Sequence, residues 1–369
     1  MTRSRTNVRE PRLARTARAV GLPLLALTAL VAVPQGVAAP QGVADSQGVA
    51  APQGAVAPRR AADSQALGVV APRGVPSVAP YLSMGWGDPP EPGSLLRSTR
   101  SDGFSFAFVL SAGGCEPRWD GRRPLKGGQD ERAVRAVRTA GGSVVVSFGG
   151  GLGRKLEQDC PTERALAGAY QKVISAYGLR AIDVDIELGA YDSAAARQKT
   201  VAALKRVKAA NPGLTVYVTL SSMRGGPDTA LIDHAARAGL APDAWTVMPF
   251  AFEKGSGSPG TEDMGRSTVR AAEGLRASLQ EAYGYSATEA YAHSGISTMN
   301  GVTGRGEVIT PAHFRTIARY ARGHRLARLA FWSVNRDRPC GQRPYPAGDR
   351  CSGVTQKPWE FSRALTAGR

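Results

Sequence analysis

Histidine and cysteine are scarce in this 369-residue chain, with four of each. His234, His293, His313 and His324 form no H-E-x-x-H pair, so the usual helix-borne zinc hydrolase site is excluded. The cysteines contain no C-x-x-C pair of the kind that binds structural zinc. No resident metal and no cofactor are expected. Gly149 to Lys155 fits neither G-x-x-x-x-G-K nor G-x-G-x-x-G, which argues against a nucleotide site. Apolar runs are short. The longest, Val20 to Val33, is about fourteen residues, too few for a stable membrane span. Lysine is also rare, at 8 residues against 39 arginines. The basic residues are scattered among acids, and no nucleic-acid motif accompanies them.

Six arginines (Arg3, Arg5, Arg9, Arg12, Arg15 and Arg18) precede the apolar run, opposed only by Glu10. With small residues at Gly36 and Ala38, residues 1–38 read as a secretory signal peptide, and the chain is expected to be secreted. Removing that segment takes the formal charge from +17 to about +12. A solvated basic surface is the plain reading of that charge, and an acidic cell-wall polymer is a compatible partner. Residues 39–77 repeat Pro-Gln-Gly-Val-Ala and lack the bulky apolar side chains that offset the entropy of ordering, so a disordered linker is expected. In an exported chain four cysteines favour disulfides. Cys340 and Cys351 enclose a short loop and are expected to pair, leaving Cys115 with Cys160.

From Val78 the pattern changes to short apolar runs alternating with amphipathic segments. Strands are predicted at Val78 to Met84, Phe104 to Leu110, Ser143 to Phe148, Ala181 to Glu187, Leu214 to Leu220, Ala244 to Phe250, Thr288 to His293 and Leu329 to Val334. Helices are predicted at Gln129 to Ala140, Pro161 to Tyr177, Ser193 to Ala210, Asp228 to Ala238, Met264 to Tyr283, Pro311 to Arg322 behind a Thr310 cap, and Pro358 to Leu365. Eight alternating units over residues 78–369 imply an α/β fold, a closed (β/α)8 TIM barrel. The first two units are the least clear.

One stretch carries chemistry. In Ala181-Ile182-Asp183-Val184-Asp185-Ile186-Glu187, strand alternation puts three isoleucine or valine side chains on one face and three acids on the other. In a barrel neither face meets bulk water, and ligands bind at the C-terminal strand ends, where Glu187 lies. Carboxylates roughly 6.5 Å apart repel, so at least one is expected to hold a proton near neutral pH and serve as a general acid. Calcium ligation is a lesser reading, because hard-cation sites usually gather oxygens from a loop.

With Ser147-Phe148-Gly149-Gly150 after strand three, Asp183-Val184-Asp185-Ile186-Glu187 on strand four, Met248 on strand six and Phe331-Trp332-Ser333 on strand eight, the sequence resembles glycoside hydrolase family 18, in its bacterial and archaeal chitinase-like branch. The run Asn335-Arg336-Asp337-Arg338 looks like the same branch. The resemblance implies cleavage of β-1,4-linked N-acetylglucosamine in chitin or its oligosaccharides, with the substrate's own 2-acetamido group as nucleophile and retention of configuration. It implies Glu187 as acid and then base, Asp185 as the partner of the acetamide N–H, and Asp183 sharing a proton or hydrogen bond with Asp185. Ser147, Gly149, Gly150, Met248, Phe252 and Trp332 would line the substrate site, with Trp332 as the floor.

The sequence departs from the family at strand six. Where the family places a Tyr beside an Asp or Asn, this chain reads Met248-Pro249-Phe250-Ala251-Phe252. Losing one preorganised hydrogen-bond donor of that kind costs about 3–4 kcal/mol of transition-state stabilisation. Two readings therefore stand: a slow or altered chitinase-like glycosidase, and a non-catalytic barrel that binds N-acetylglucosamine glycans. Retention of all three acids favours the enzyme.

Overall fold

The computed structural model describes residues 78–252, 263–341 and 348–367. The proposed signal segment and linker lie outside them. Eight parallel strands form the barrel: β1 Tyr81–Ser83, β2 Gly103–Ser111, β3 Ser143–Gly149, β4 Ala181–Ile186, β5 Thr215–Ser221, β6 Ala244–Met248, β7 Ser294–Met299 and β8 Arg328–Trp332. Each pairs with the next in chain order. A parallel bridge between Val78 and Leu329, with Ala79 N donating to Leu329 O at 3.0 Å, closes the ring next to β1. The expected TIM barrel is the fold observed.

Helices form where apolar spacing and end signals agree. Thr162 caps Glu163–Tyr177 by accepting from Ala165 N, and Gly178 ends it in the left-handed region at φ 54°. Ser193 caps Ala194–Ala210, and Thr310 caps Pro311–Gly323, which has proline in its first turn. Outward-facing Ile182, Val184 and Ile186 of β4 are buried in the cluster that also holds Leu166, Tyr170, Val173, Val201 and Leu204 of the surrounding helices. This is the two-sided burial expected of a parallel strand.

One predicted strand is corrected. Thr288 to His293 falls in the α-helix Ala287–Ala292, and β7 begins only at Ser294. Ser286 and Glu289 form a reciprocal capping box, which nucleates a helix where the Thr and Tyr side chains suggested a strand. The true strand, Ser-Gly-Ile-Ser-Thr-Met, has little apolar signal because Ser294, Gly295, Ser297 and Thr298 leave only Ile296 and Met299 apolar. A Cβ on Gly295 would lie 2.7 Å from Thr246 Oγ1 and 3.0 Å from Arg328 Cβ. In the first two units the sequence pattern is blurred by a short helix, Pro92–Thr99, and by Pro117–Trp119, which folds back antiparallel on β2.

Cys115–Cys160 and Cys340–Cys351 are both disulfides, as the sequence suggested. The first joins the excursion after β2 to the short helix Leu156–Asp159 and spans 45 residues. Among the described residues no helix is long and apolar enough to cross a membrane. Replacing Cys115 and Cys160 together by serine is expected to cost about 2–4 kcal/mol through the freed unfolded chain, read as a lower urea midpoint under non-reducing conditions. An unchanged midpoint would show that the crosslink adds nothing.

Candidate active site

The inner face of the barrel is polar at mid-height. Asp183, without exposed surface, receives four hydrogen bonds from four different strands. Tyr81 Oη of β1 and Ser147 Oγ of β3 donate to its Oδ2 at 2.7 and 2.6 Å. Thr219 Oγ1 of β5 and Arg328 Nη1 of β8 donate to its Oδ1 at 2.7 and 2.6 Å. The Arg328 guanidinium also reaches Thr219 Oγ1 at 3.0 Å, Ser105 Oγ at 3.2 Å and Tyr81 Oη at 3.3 Å. Its carbon stands 4.7 Å from the centre of the Tyr217 ring, within cation–π range. Arg328 and Asp183 thus form an ion pair with no solvent exposure on either side.

Above this pair the acid row continues toward the mouth. Asp185 is 3% exposed, and its Oδ1 has no hydrogen-bond partner among the described residues. Burial, and then repulsion from Glu187 and Asp183, push its carboxyl well above the ordinary aspartate range. Glu187 follows β4 in extended conformation and remains partly exposed. Burial also raises its carboxyl, with the buried ammonium of Lys155 pulling the other way. Two adjacent carboxyls whose affinity for a proton is raised are suited to proton delivery.

Backbone approaches the row closely. Gly149 adopts φ 91°, and a Cβ there would lie 2.1 Å from Asp185 O. Gly150 N donates to that same oxygen at 2.9 Å. A side chain on Gly150 would strike the Phe108 ring at 2.5 Å, and Phe108 stacks on Trp332 at 5.5 Å with an 8° interplanar angle. Trp332 shares the inward face of β8 with Arg328 and is partly exposed at the mouth. Trp86, which sequence reasoning missed, meets its edge at 5.7 Å. Beside it lies a cavity of about 760 Å³, lined by Trp86, Arg338 and the Cys340–Cys351 disulfide among others.

No family model matches the chain. The catalytic domain of a hyperthermophilic chitinase from Pyrococcus furiosus superposes with a TM-score of 0.70 at 28% identity, covering 78% of this chain and 93% of that one. The fold is chitinase-like. Among curated proteins, a probable bifunctional chitinase/lysozyme from Escherichia coli K12 is 25% identical over 283 residues, 73% of this chain and 32% of its own length. Endochitinase 11 from Metarhizium anisopliae is 25% identical over 295 residues, 71% and 52% respectively. The chain spans about a third to a half of these curated relatives.

The chitinase-like barrel brings Asp183, Asp185, Glu187, Gly149, Gly150, Met248 and Trp332 to its inner face or mouth. Ser147 is there too, but it is fully buried with its hydroxyl on Asp183, so it supports the acid row instead of touching a ligand. Phe252 is 4% exposed and belongs to the main hydrophobic cluster, with the Arg224 guanidinium 4.9 Å above its ring. Its backbone N–H and that of Ala251 donate to the Glu307 carboxylate at 2.9 and 2.7 Å, while Ala251 takes φ 54°. The expected bond between Asp183 and Asp185 is replaced by four donors from other strands to Asp183. The Asn335 to Asp337 run braces the mouth: the Asn335 amide bridges Ser83 and Trp86, Arg336 holds Asn300 O and Val302 O, and Asp337 accepts from Phe361 N and Ser362 N.

Tyr81, Thr219 and Arg328 were missed as well. The readable signal was alternation: counting back by twos from Trp332 through Ala330 places Arg328 on the same inward face.

Two outcomes follow from this electrostatics. Arg328→Met leaves a buried carboxylate without its cation and is expected to destabilise the fold by about 3–5 kcal/mol, read by urea unfolding. For Glu187, the unfolded carboxyl ionises near pH ~4.3 and the folded one at higher pH. Between the two values the folded state binds more protons, so stability falls as pH rises through that window. Glu187→Gln should therefore be more stable than wild type at neutral pH, with the gap closing toward pH ~4. A gap that does not change with pH would contradict the raised carboxyl.

Proposed function

We propose that this barrel hydrolyses β-1,4-linked N-acetylglucosamine chains by a retaining, substrate-assisted mechanism. The single observation that carries the reading is the succession of Asp185 on the inward face of β4 and Glu187 just beyond its end, two neighbouring carboxyls with raised affinity for a proton, at the barrel mouth that also holds Trp332. Glu187, the more exposed acid, protonates the leaving glycosidic oxygen. The acetamido carbonyl of the sugar then attacks the anomeric carbon as the C–O bond breaks. Asp185 accepts a hydrogen bond from the acetamide N–H and stabilises the resulting oxazolinium cation. Glu187, now a carboxylate, takes a proton from the water that opens this intermediate and is returned to its starting form.

The likeness to the Pyrococcus furiosus chitinase domain supports this substrate class. The bifunctional and endochitinase names of the curated relatives point the same way. Secretion to reach an extracellular polymer belongs to the same proposal, as does attraction of the basic chain to an acidic wall polymer. The Ala251 and Phe252 departures favour a slow enzyme: Phe252 has no hydroxyl to place on the acetamido carbonyl, and its ring is packed into the core.

Incubation with chitin oligomers is the test. Wild type is expected to release new reducing ends, and Glu187→Gln to lower the rate by about 10²–10⁴-fold. Binding of oligomers without any release by wild type would replace this reading with the glycan-binding one.

A further inference from the structure

We propose that the end of the barrel opposite the mouth is a docking face for a polyphosphodiester chain of the cell wall, held by an arc of six arginines. The choice of a wall polymer as the source of that chain rests on the extracellular hydrolase reading, whereas the chemistry of the face stands apart from turnover.

In a barrel of alternating strands and helices the helix C-termini return the chain to the strand starts, away from the mouth. Residues that precede consecutive strands meet there: Ser143 N donates to Asp102 O at 2.8 Å, and Thr215 N to Arg180 O at 2.9 Å. Along the arc from β8 through β1 to β4, Arg322 and Arg325 precede β8, Arg97 and Arg100 precede β2, Arg138 precedes β3 and Arg180 precedes β4. All six are exposed. Three clefts follow the same order. One of about 260 Å³ is lined by Arg322 and Arg325, one of about 620 Å³ by Arg97, and one of about 410 Å³ by Arg138 and Arg180, each among other residues.

Helix ends alone account for half of the arc. Arg97, Arg138 and Arg322 stand in last turns, where a cation meets the negative end of the helix dipole, but Arg100, Arg180 and Arg325 lie beyond those turns. Nor do acids neutralise it. Arg154, Arg206, Arg266 and Arg276 elsewhere on the surface pair with carboxylates, whereas Arg97, Arg100, Arg138, Arg322 and Arg325 form no ion pair among the described residues. Asp102, within the arc, accepts from Val78 N at 3.2 Å, and Glu91 in the largest of the three clefts accepts from Gly93 N and Ser94 N. The partner follows from what the face lacks. No aromatic side chain lines the three clefts, so nucleic-acid bases would find no stacking platform. The exposed large apolar side chains among the described residues, Leu152, Leu188 and Met223, follow β3, β4 and β5 at the mouth, which leaves the arc nothing to insert into lipid. Guanidinium groups spaced along an arc suit a flexible run of phosphates without bases or acyl tails.

Binding of the full chain to a purified poly(glycerol phosphate) wall polymer, measured over a range of salt concentrations, is the test. Wild type is expected to bind with an affinity that falls steeply with salt. Arg97→Gln, Arg138→Gln and Arg325→Gln together should make the slope of log affinity on log salt shallower by about 2, at roughly 0.7 counterion per contact with a single-stranded polyanion. Arg122→Gln, Arg164→Gln and Arg305→Gln remove the same charge from the mouth side and should leave the slope near that of wild type. Lysine at positions 97, 138 and 325 keeps the charge and should keep the slope, which separates lost contacts from lost folding. Equal flattening by the two glutamine triples would reduce the effect to diffuse attraction and overturn the proposal, as would no salt-dependent binding by wild type. Tighter binding of single-stranded DNA, or of phosphatidylglycerol vesicles at equal phosphate, would overturn it in favour of that partner. Because no turnover is measured, failure to cleave chitin oligomers would remove the hydrolase reading without deciding this one.

Discussion

The ion pair between Asp183 and Arg328 is the constraint around which the inner face of this barrel is built. Neither partner has any exposed surface, and the groups that satisfy them come from β1, β2, β3, β5 and β8. A buried pair of this kind adds little net stability compared with apolar packing of the same volume, whereas removing one partner is costly. Its effect is electrostatic and geometric. It ties one acid of the row to the opposite wall, it leaves no room for a side chain at Gly295 of β7, and the next two acids of the row follow above it toward the mouth. Their reluctance to ionise follows first from burial.

Much of this was legible in the sequence because barrel geometry turns a simple alternation into a placement. Ile182, Val184 and Ile186 announced the outer face of β4, and once the repeat of strand and helix implied closure, the three acids could only point inward. Gly149 and Gly150 were legible for a related reason, since a positive φ and a close backbone contact leave room for no other residue. Arg328 was hidden by its type: an arginine at a strand start reads as a solvent-facing end, and its burial depends on Asp183, 145 residues earlier in the chain. The strand β7 was hidden by composition. Gly295 makes way for Arg328, the polar Ser294, Ser297 and Thr298 erase the apolar signal, and the capping box just before the strand supplies a stronger local one.

At the mouth, the departure on strand six has a structural counterpart. Glu307, reaching from the loop between Gly301–Val302 and Val308–Ile309, holds the backbone at Ala251 and Phe252. Phe252 turns into the core under Arg224, so this segment contributes shape to the site and no hydroxyl. The neighbouring aromatic surface of Trp332, Phe108 and Trp86 is intact. A site with its acids and aromatic surface in place but one donor missing supports the proposal of a slowed glycosidase.

The central claim is that the row from Asp183 to Glu187 meets an N-acetylglucosamine unit over Trp332. A crystal structure of residues 78–369 of Glu187→Gln soaked with a chitin oligomer tests it most directly. The account predicts a sugar stacked on Trp332, with its acetamide N–H on Asp185 and the glycosidic oxygen beside the side chain at position 187. An oligomer bound elsewhere on the barrel, with the space above Trp332 unfilled, would contradict it.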